Sequence, residues 1–251
     1  VSGPQVVEGL QGRSFEGPLT RLRETIEIIR LAFQGEKLAY EGKYHTLPLP
    51  GGEGKALRLA QPGNQEIPIY LATLGPRALE LTGELADGWL GTSFTPSYAN
   101  AHLDFISRGA EAHGRSLVDI DIQAGGTVAF EADMAGVMGS LKAGMAFTLG
   151  AMGSAKTNFY NDAYKRGGWE DAANEVQGLW VAGRRDEAIA KVPEEMVLQS
   201  NLVGDKKAIR ERLQAYKRAG VSTLRVQPAG QNLDDRLKTL GETLDLIDDL
   251  D

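Results

Sequence analysis

A chain of 251 residues, 42% of them hydrophobic and 24% charged, has the composition of a globular protein and can bury a full core without covalent staples. Lys and Arg number 27 against 34 Asp and Glu, a formal charge of −7 with no basic run, which argues against a nucleic-acid partner. Cysteine is absent, so disulfide frameworks, thiolate nucleophiles, iron–sulfur sites and Cys-ligated zinc are excluded, and no apolar stretch approaches the ~20 residues of a membrane-spanning helix.

The chain opens VSGPQVVEGLQGRSF, without a basic region followed by an apolar run and without an initiator Met. Residues 19–34 place Leu22, Ile26, Ile29 and Phe33 at helical spacing, with Pro18 and Gly35 as start and stop signals. Residues 40–66 are rich in Gly, Pro and polar side chains, which predicts a long loop holding a short hairpin and bordering the ligand pocket. Ile67–Ala72 reads as a strand buried on both faces, Thr73-Leu74-Gly75 as a tight connection, Pro76–Leu85 as a helix and Asp87–Thr92 as a second strand. Such a β–α–β unit with short links requires a parallel sheet. A helix over 97–113 follows, then a strand Ile120–Phe130 interrupted at Gly125-Gly126, and a helix over 131–150. Residues 151–203 break this rhythm as an insertion of helices. Asp205 is the expected N-cap of a helix burying Ile209, Leu213 and Tyr216; Gly220 ends it, Val221–Gln227 is the fourth buried strand, and Leu233–Leu250 is an acidic amphipathic helix. The chain is one α/β domain. A doubly wound sheet would carry G-x-G-x-x-G after a strand, which is absent; a (β/α)8 barrel needs eight strands, of which four are visible.

The turn Ala72-Thr73-Leu74-Gly75-Pro76 sets free amides and a helix N-terminus at the C-terminal end of a strand, where parallel α/β folds bind anions. His45, His102 and His113 lack ligand spacing, so no metal site is expected, and His45 reads as a solvated loop residue. Ser2 has no nucleophile elbow around it. Asp87 reads as a cap or an amide-binding carboxylate, the aromatics Phe159, Tyr160, Trp169 and Trp180 as packing of the inserted helices, and Arg184-Arg185 as a solvated turn.

Taken in order, SGPQVVEGLQG, PLTRLRETIEIIR, YEGKYHTLPLPGG and IPIYLATLGPRALELTGELADGWL resemble the luciferase-like monooxygenase family. NFYNDAYKRGG and LVGDKKAIRERLQAYKRAGVSTLRV resemble its coenzyme F420-dependent oxidoreductase branch, common in actinobacteria. The resemblance implies a (β/α)8 TIM barrel with an insertion before the last strand, a cytoplasmic homodimer, and hydride transfer between C5 of F420 and a small organic substrate, with FMN as the alternative cofactor. It places Ser2, Gly3, Gln5 and Val6 against the cofactor, Ala72, Thr73, Leu74 and Gly75 at its phosphate-bearing arm, and Thr92 at the end of the next strand. It also implies that four βα units precede Val1, so the chain is expected to be the C-terminal half of a barrel within a longer product. Those units would supply the acid/base residues, so the catalytic residues are unknown. The rival outside enzymes is a non-catalytic half-barrel.

Overall fold

The computed structural model describes residues 3–130, 134–154 and 156–250. Ser2, a candidate from the sequence, lies outside them. In chain order come α1 (Pro4–Gly9), α2 (Pro18–Phe33), a two-stranded antiparallel hairpin of β1 (Tyr40–Glu41) and β2 (Thr46–Leu47), β3 (Tyr70–Leu71), α3 (Pro76–Leu85), β4 (Gly88–Leu90), α4 (Asn100–Glu111) and β5 (Asp121–Phe130). Five helices follow: α5 (Met134–Ala151), α6 (Phe159–Tyr164), α7 (Glu170–Val181), α8 (Arg185–Ala190) and α9 (Glu194–Ser200). The chain closes with β6 (Leu202–Gly204), α10 (Lys206–Arg218), β7 (Thr223–Pro228) and α11 (Leu233–Asp248). Among the described residues no helix is long and apolar enough to cross a membrane.

The start signals act as expected. Pro18 and Pro76 stand in the first turns of α2 and α3, and the Asp205 carboxylate accepts the Ala208 N–H at 2.7 Å to begin α10, which buries Ile209, Leu213 and Tyr216. Strands β3 to β7 form one wholly parallel sheet, with β4 beside β3 and the long β5 pairing with β4, β6 and β7 at successive registers. A parallel sheet carries all its βα turns at one end. Trp89, Leu79, Ile106 and Ile122 fill the core between this sheet and the layer of α3 and α4.

Four expectations are corrected. The strand expected over Ile67–Ala72 is only Tyr70–Leu71, with Ile67 exposed, because β4 offers it just two residues of register. Strand β5 runs unbroken through Gly125-Gly126; these glycines make room for neighbouring backbone, since a Cβ on Gly125 would meet the Arg225 carbonyl at 2.0 Å. Strand β7 is not buried on both faces: Thr223, Arg225 and Gln227 are exposed in alternation. The loop 40–66 lies along α2, where the buried Glu24 accepts the Lys43, Tyr44 and His45 N–H groups and His45 Nδ1 at 2.9 Å. His45 is therefore an anchor of the hairpin, and Gly63 packs on Gly35 at the C-terminal end of α2.

Carboxylates hold the N-terminal end of the sheet. Asp87 accepts the Ile69 N–H at 2.8 Å and faces Arg30, an amide-binding role that its sequence context suggests. Asp121 accepts from Ser222, Gln123, Thr223 and Tyr70; burial alone would raise its pKa, but these donors hold it down at about 2.

Candidate functional site

At the opposite end of the sheet, the turn from β3 to α3 is built by its carbonyls. Thr73 is anchored by its hydroxyl to that of Thr82 on α3, 2.6 Å away. Its carbonyl accepts the indole N–H of the fully buried Trp89 at 3.0 Å, and the next carbonyl, that of Leu74, accepts Arg166 Nη2 at 2.6 Å. Both peptide bonds are trans. In a trans peptide the N–H points opposite to its carbonyl, so fixing these two carbonyls fixes the Leu74 and Gly75 N–H groups. Neither has an acceptor among the described residues, nor has the Arg77 N–H in the first turn of α3, where Gly75 offers no side-chain cap. These three unpaired donors stand at a helix N-terminus, a place suited to an anion.

The turn after β4 is held in a similar way. Gly91 N–H donates to the Gln123 carbonyl at 2.6 Å, while Arg225 on β7 donates to the Gly91 carbonyl at 3.0 Å. Ser93 sits at φ 54°, a conformation costly for a residue with a Cβ. Thr92 lies between Gly91 and Ser93, two residues beyond the strand.

Of the candidates read from the sequence, Thr73 and Leu74 are buried in the turn, Gly75 is half-buried, and Ala72 is exposed at the strand's end. Gly3, Gln5 and Val6 open α1, where Gln5 Nε2 donates to the Gly153 carbonyl, while Phe159 stands against Gly75. Trp169 and Trp180 pack into the helical core as expected, whereas Phe159 is partly exposed beside the turn. Arg184 pairs with Glu187, and Arg185 stacks over Trp180. Arg166, Trp89 and Arg225 escape sequence reasoning, because each acts on backbone far away in the chain. Each lies inside a stretch quoted for the family resemblance, Arg166 in NFYNDAYKRGG, but the stretches alone do not say which carbonyls these side chains hold. A separate groove of about 440 Å3 lies between α2, α3 and α4 on the outer helical layer. Of its basic side chains, Arg23 and His113 face Glu84, and Arg108 faces Glu80.

A family model described as luciferase-like monooxygenase matches residues 1–223. The chain belongs to that family. It is 37% identical over 238 residues to a Mycobacterium tuberculosis protein named as a candidate coenzyme F420-dependent oxidoreductase, covering 92% of this chain and 68% of that one. It is 27% identical over 228 residues to the 5,10-methylenetetrahydromethanopterin reductase of Methanopyrus kandleri, covering 90% of this chain and 62% of that protein. The chain thus spans about two thirds of the length of these relatives. The solved structure of the coenzyme F420-dependent tetrahydromethanopterin reductase of Methanopyrus kandleri superposes with a TM-score of 0.76 at 24% identity, over 99% of this chain and 72% of that one. The parallel βα succession described above is therefore the luciferase-like barrel fold, and the family is one of enzymes.

Proposed function

We propose that the chain works with coenzyme F420 in moving a hydride to or from a small organic substrate. The observation that carries this reading is the group of Leu74, Gly75 and Arg77 amides at the C-terminal end of the sheet, together with the F420-dependent naming of the 37%-identical relative. These amides fit the phosphate of the cofactor's side arm. Gly3, Gln5 and Val6 would border the cofactor, Ala72, Thr73, Leu74 and Gly75 would receive the arm, and Thr92 would edge the site from the next turn. F420, when bound, supplies a deazaflavin C5 that accepts or releases hydride; the protein supplies orientation and shelter from water.

The same amides would also accept the phosphate of FMN, so the test is a pair of titrations on the same sample. Micromolar or tighter binding of F420 with no binding of FMN is the expected result. A preference for FMN would move the protein to the flavin-dependent reading, and a folded sample that binds neither would favour a non-catalytic one. We further propose that the protein assembles as a homodimer, which a solution mass measurement tests.

A further inference from the structure

We propose that Arg166 is a positioning residue: by holding the Leu74 carbonyl it sets the direction of the Gly75 amide, so the helical segment between β5 and β6 governs how tightly an anionic arm is held at the β3–α3 turn. The identity of that arm rests on the cofactor reading above.

Arg166 lies in the junction Lys165–Trp169, between α6 and α7. Its Nη2 reaches Leu74 across 92 residues of sequence, Nη1 donates to the Asp162 carbonyl at 3.2 Å, and Nε is buried without a partner. Arg23, Arg30, Arg108, Arg184 and Arg210 all face a carboxylate, whereas among the described residues none lies within ion-pair distance of Arg166. Burial pushes its guanidinium below the ordinary value. A partly desolvated cation held only by carbonyl oxygens is expensive unless its geometry is used.

The junction that presents it is itself seated on the neighbouring turn. Gly168 has φ 81°, and a Cβ there would meet the Tyr98 ring at 2.5 Å. Tyr98 belongs to the connection from β4 to α4. One short stretch therefore meets both turns at the C-terminal end of the sheet.

The test compares Arg166→Met, Arg166→Lys and a control, Val176→Ala, which lies in the helical core away from the turn. Binding of F420 is measured beside binding of the same deazaflavin lacking its phosphate-bearing arm. Arg166→Met should weaken F420 binding by roughly tenfold or more and leave the armless compound unaffected, with Arg166→Lys recovering part of the loss. Val176→Ala should leave the ratio of the two affinities unchanged. Wild-type affinity in Arg166→Met, or equal loss for both compounds, overturns the proposal. If the wild-type protein binds neither compound, the cofactor reading fails, and hydrogen exchange on the free protein decides this one. Faster exchange at Ala78 and Leu79, whose N–H groups bond the Gly75 carbonyl, in Arg166→Met but not in Val176→Ala, upholds it; unchanged exchange overturns it.

Discussion

His102 shows how a polar residue can sit near a site without serving it. Its imidazole is buried between Trp89 and Phe94, with ring centroids 5.3 and 6.1 Å away, and neither nitrogen has a hydrogen-bond partner among the described residues. Burial, aided by the charge of Arg166, pushes its pKa down to about 4. The folded state therefore holds the neutral ring while the unfolded chain takes up a proton below the ordinary histidine value of 6.5. Stability attributable to the neutral ring is full above that value and falls as pH drops through it towards 4. Between pH 8 and 5 the wild-type protein should lose about 2 kcal/mol more stability than His102→Leu, measured by urea unfolding at both pH values. Parallel losses in the two proteins would contradict the burial argument. The sequence showed that the histidines lack metal-ligand spacing and that the turn at Gly75 sets free amides at a helix N-terminus, but not which side chains would fix the turn's carbonyls. Every residue carries an amide, and only the capture of neighbouring carbonyls by Trp89 and Arg166 makes those of Leu74 and Gly75 available.

Helices α3 and α4 pack so closely that two glycines are obligatory. A Cβ on Gly83 would lie 1.9 Å from the Ile106 carbonyl, and one on Gly109 equally close to that of Glu80. Backbone oxygens cannot rotate away as side chains do, so Gly83→Ala should cost about 2–4 kcal/mol by forcing the pair apart. On α5, Gly139 and Gly144 face open space, and alanine there should stabilise by about 0.5–1 kcal/mol. Chemical denaturation of the three variants checks the contrast; equal effects would mean that the crossing is looser than described. Elements with local signals were legible: the prolines that begin α2 and α3, the Asp205 cap and the buried face of α10 are all visible in sequence. Strand β6 and helix α1 were not. Three residues, Leu202–Gly204, carry no alternation to read, and β6 exists because β5 extends far enough to pair with it. Asn201, which accepts the Thr127 N–H and donates to the Val197 carbonyl, anchors its start to β5 and α9.

Across the whole molecule, the side chains of α5 to α9 close over a core of their own. Met145, Leu149, Val176, Val192 and Met196 belong to it, and none of them packs in the cores around Trp89 or around Val128, Leu202 and Ile209. Asn161 ties this segment together internally by donating to the Leu149 and Ala173 carbonyls. Two specific polar links tie it to the sheet and its turns: Arg166 to Leu74, and Asn201 to Thr127. A segment with its own core and narrow attachments opens as a unit, and its opening energy need not equal that of the rest. Sequence reading placed the change of rhythm at residues 151–203 and left α5 in the regular alternation, so it missed this division of the core, because apolar residues look alike whichever core they join. Met196→Ala removes a fully buried side chain from the helical core and should cost about 2–5 kcal/mol. Native-state hydrogen exchange should show that cost in amides of α5, α7 and α9, while those of Trp89 and Ile122 in the sheet keep wild-type protection. Loss of protection spread evenly over helices and sheet would instead mean a single cooperative unit, in which a change in the helical core reaches the β3–α3 turn through global stability and not through Arg166.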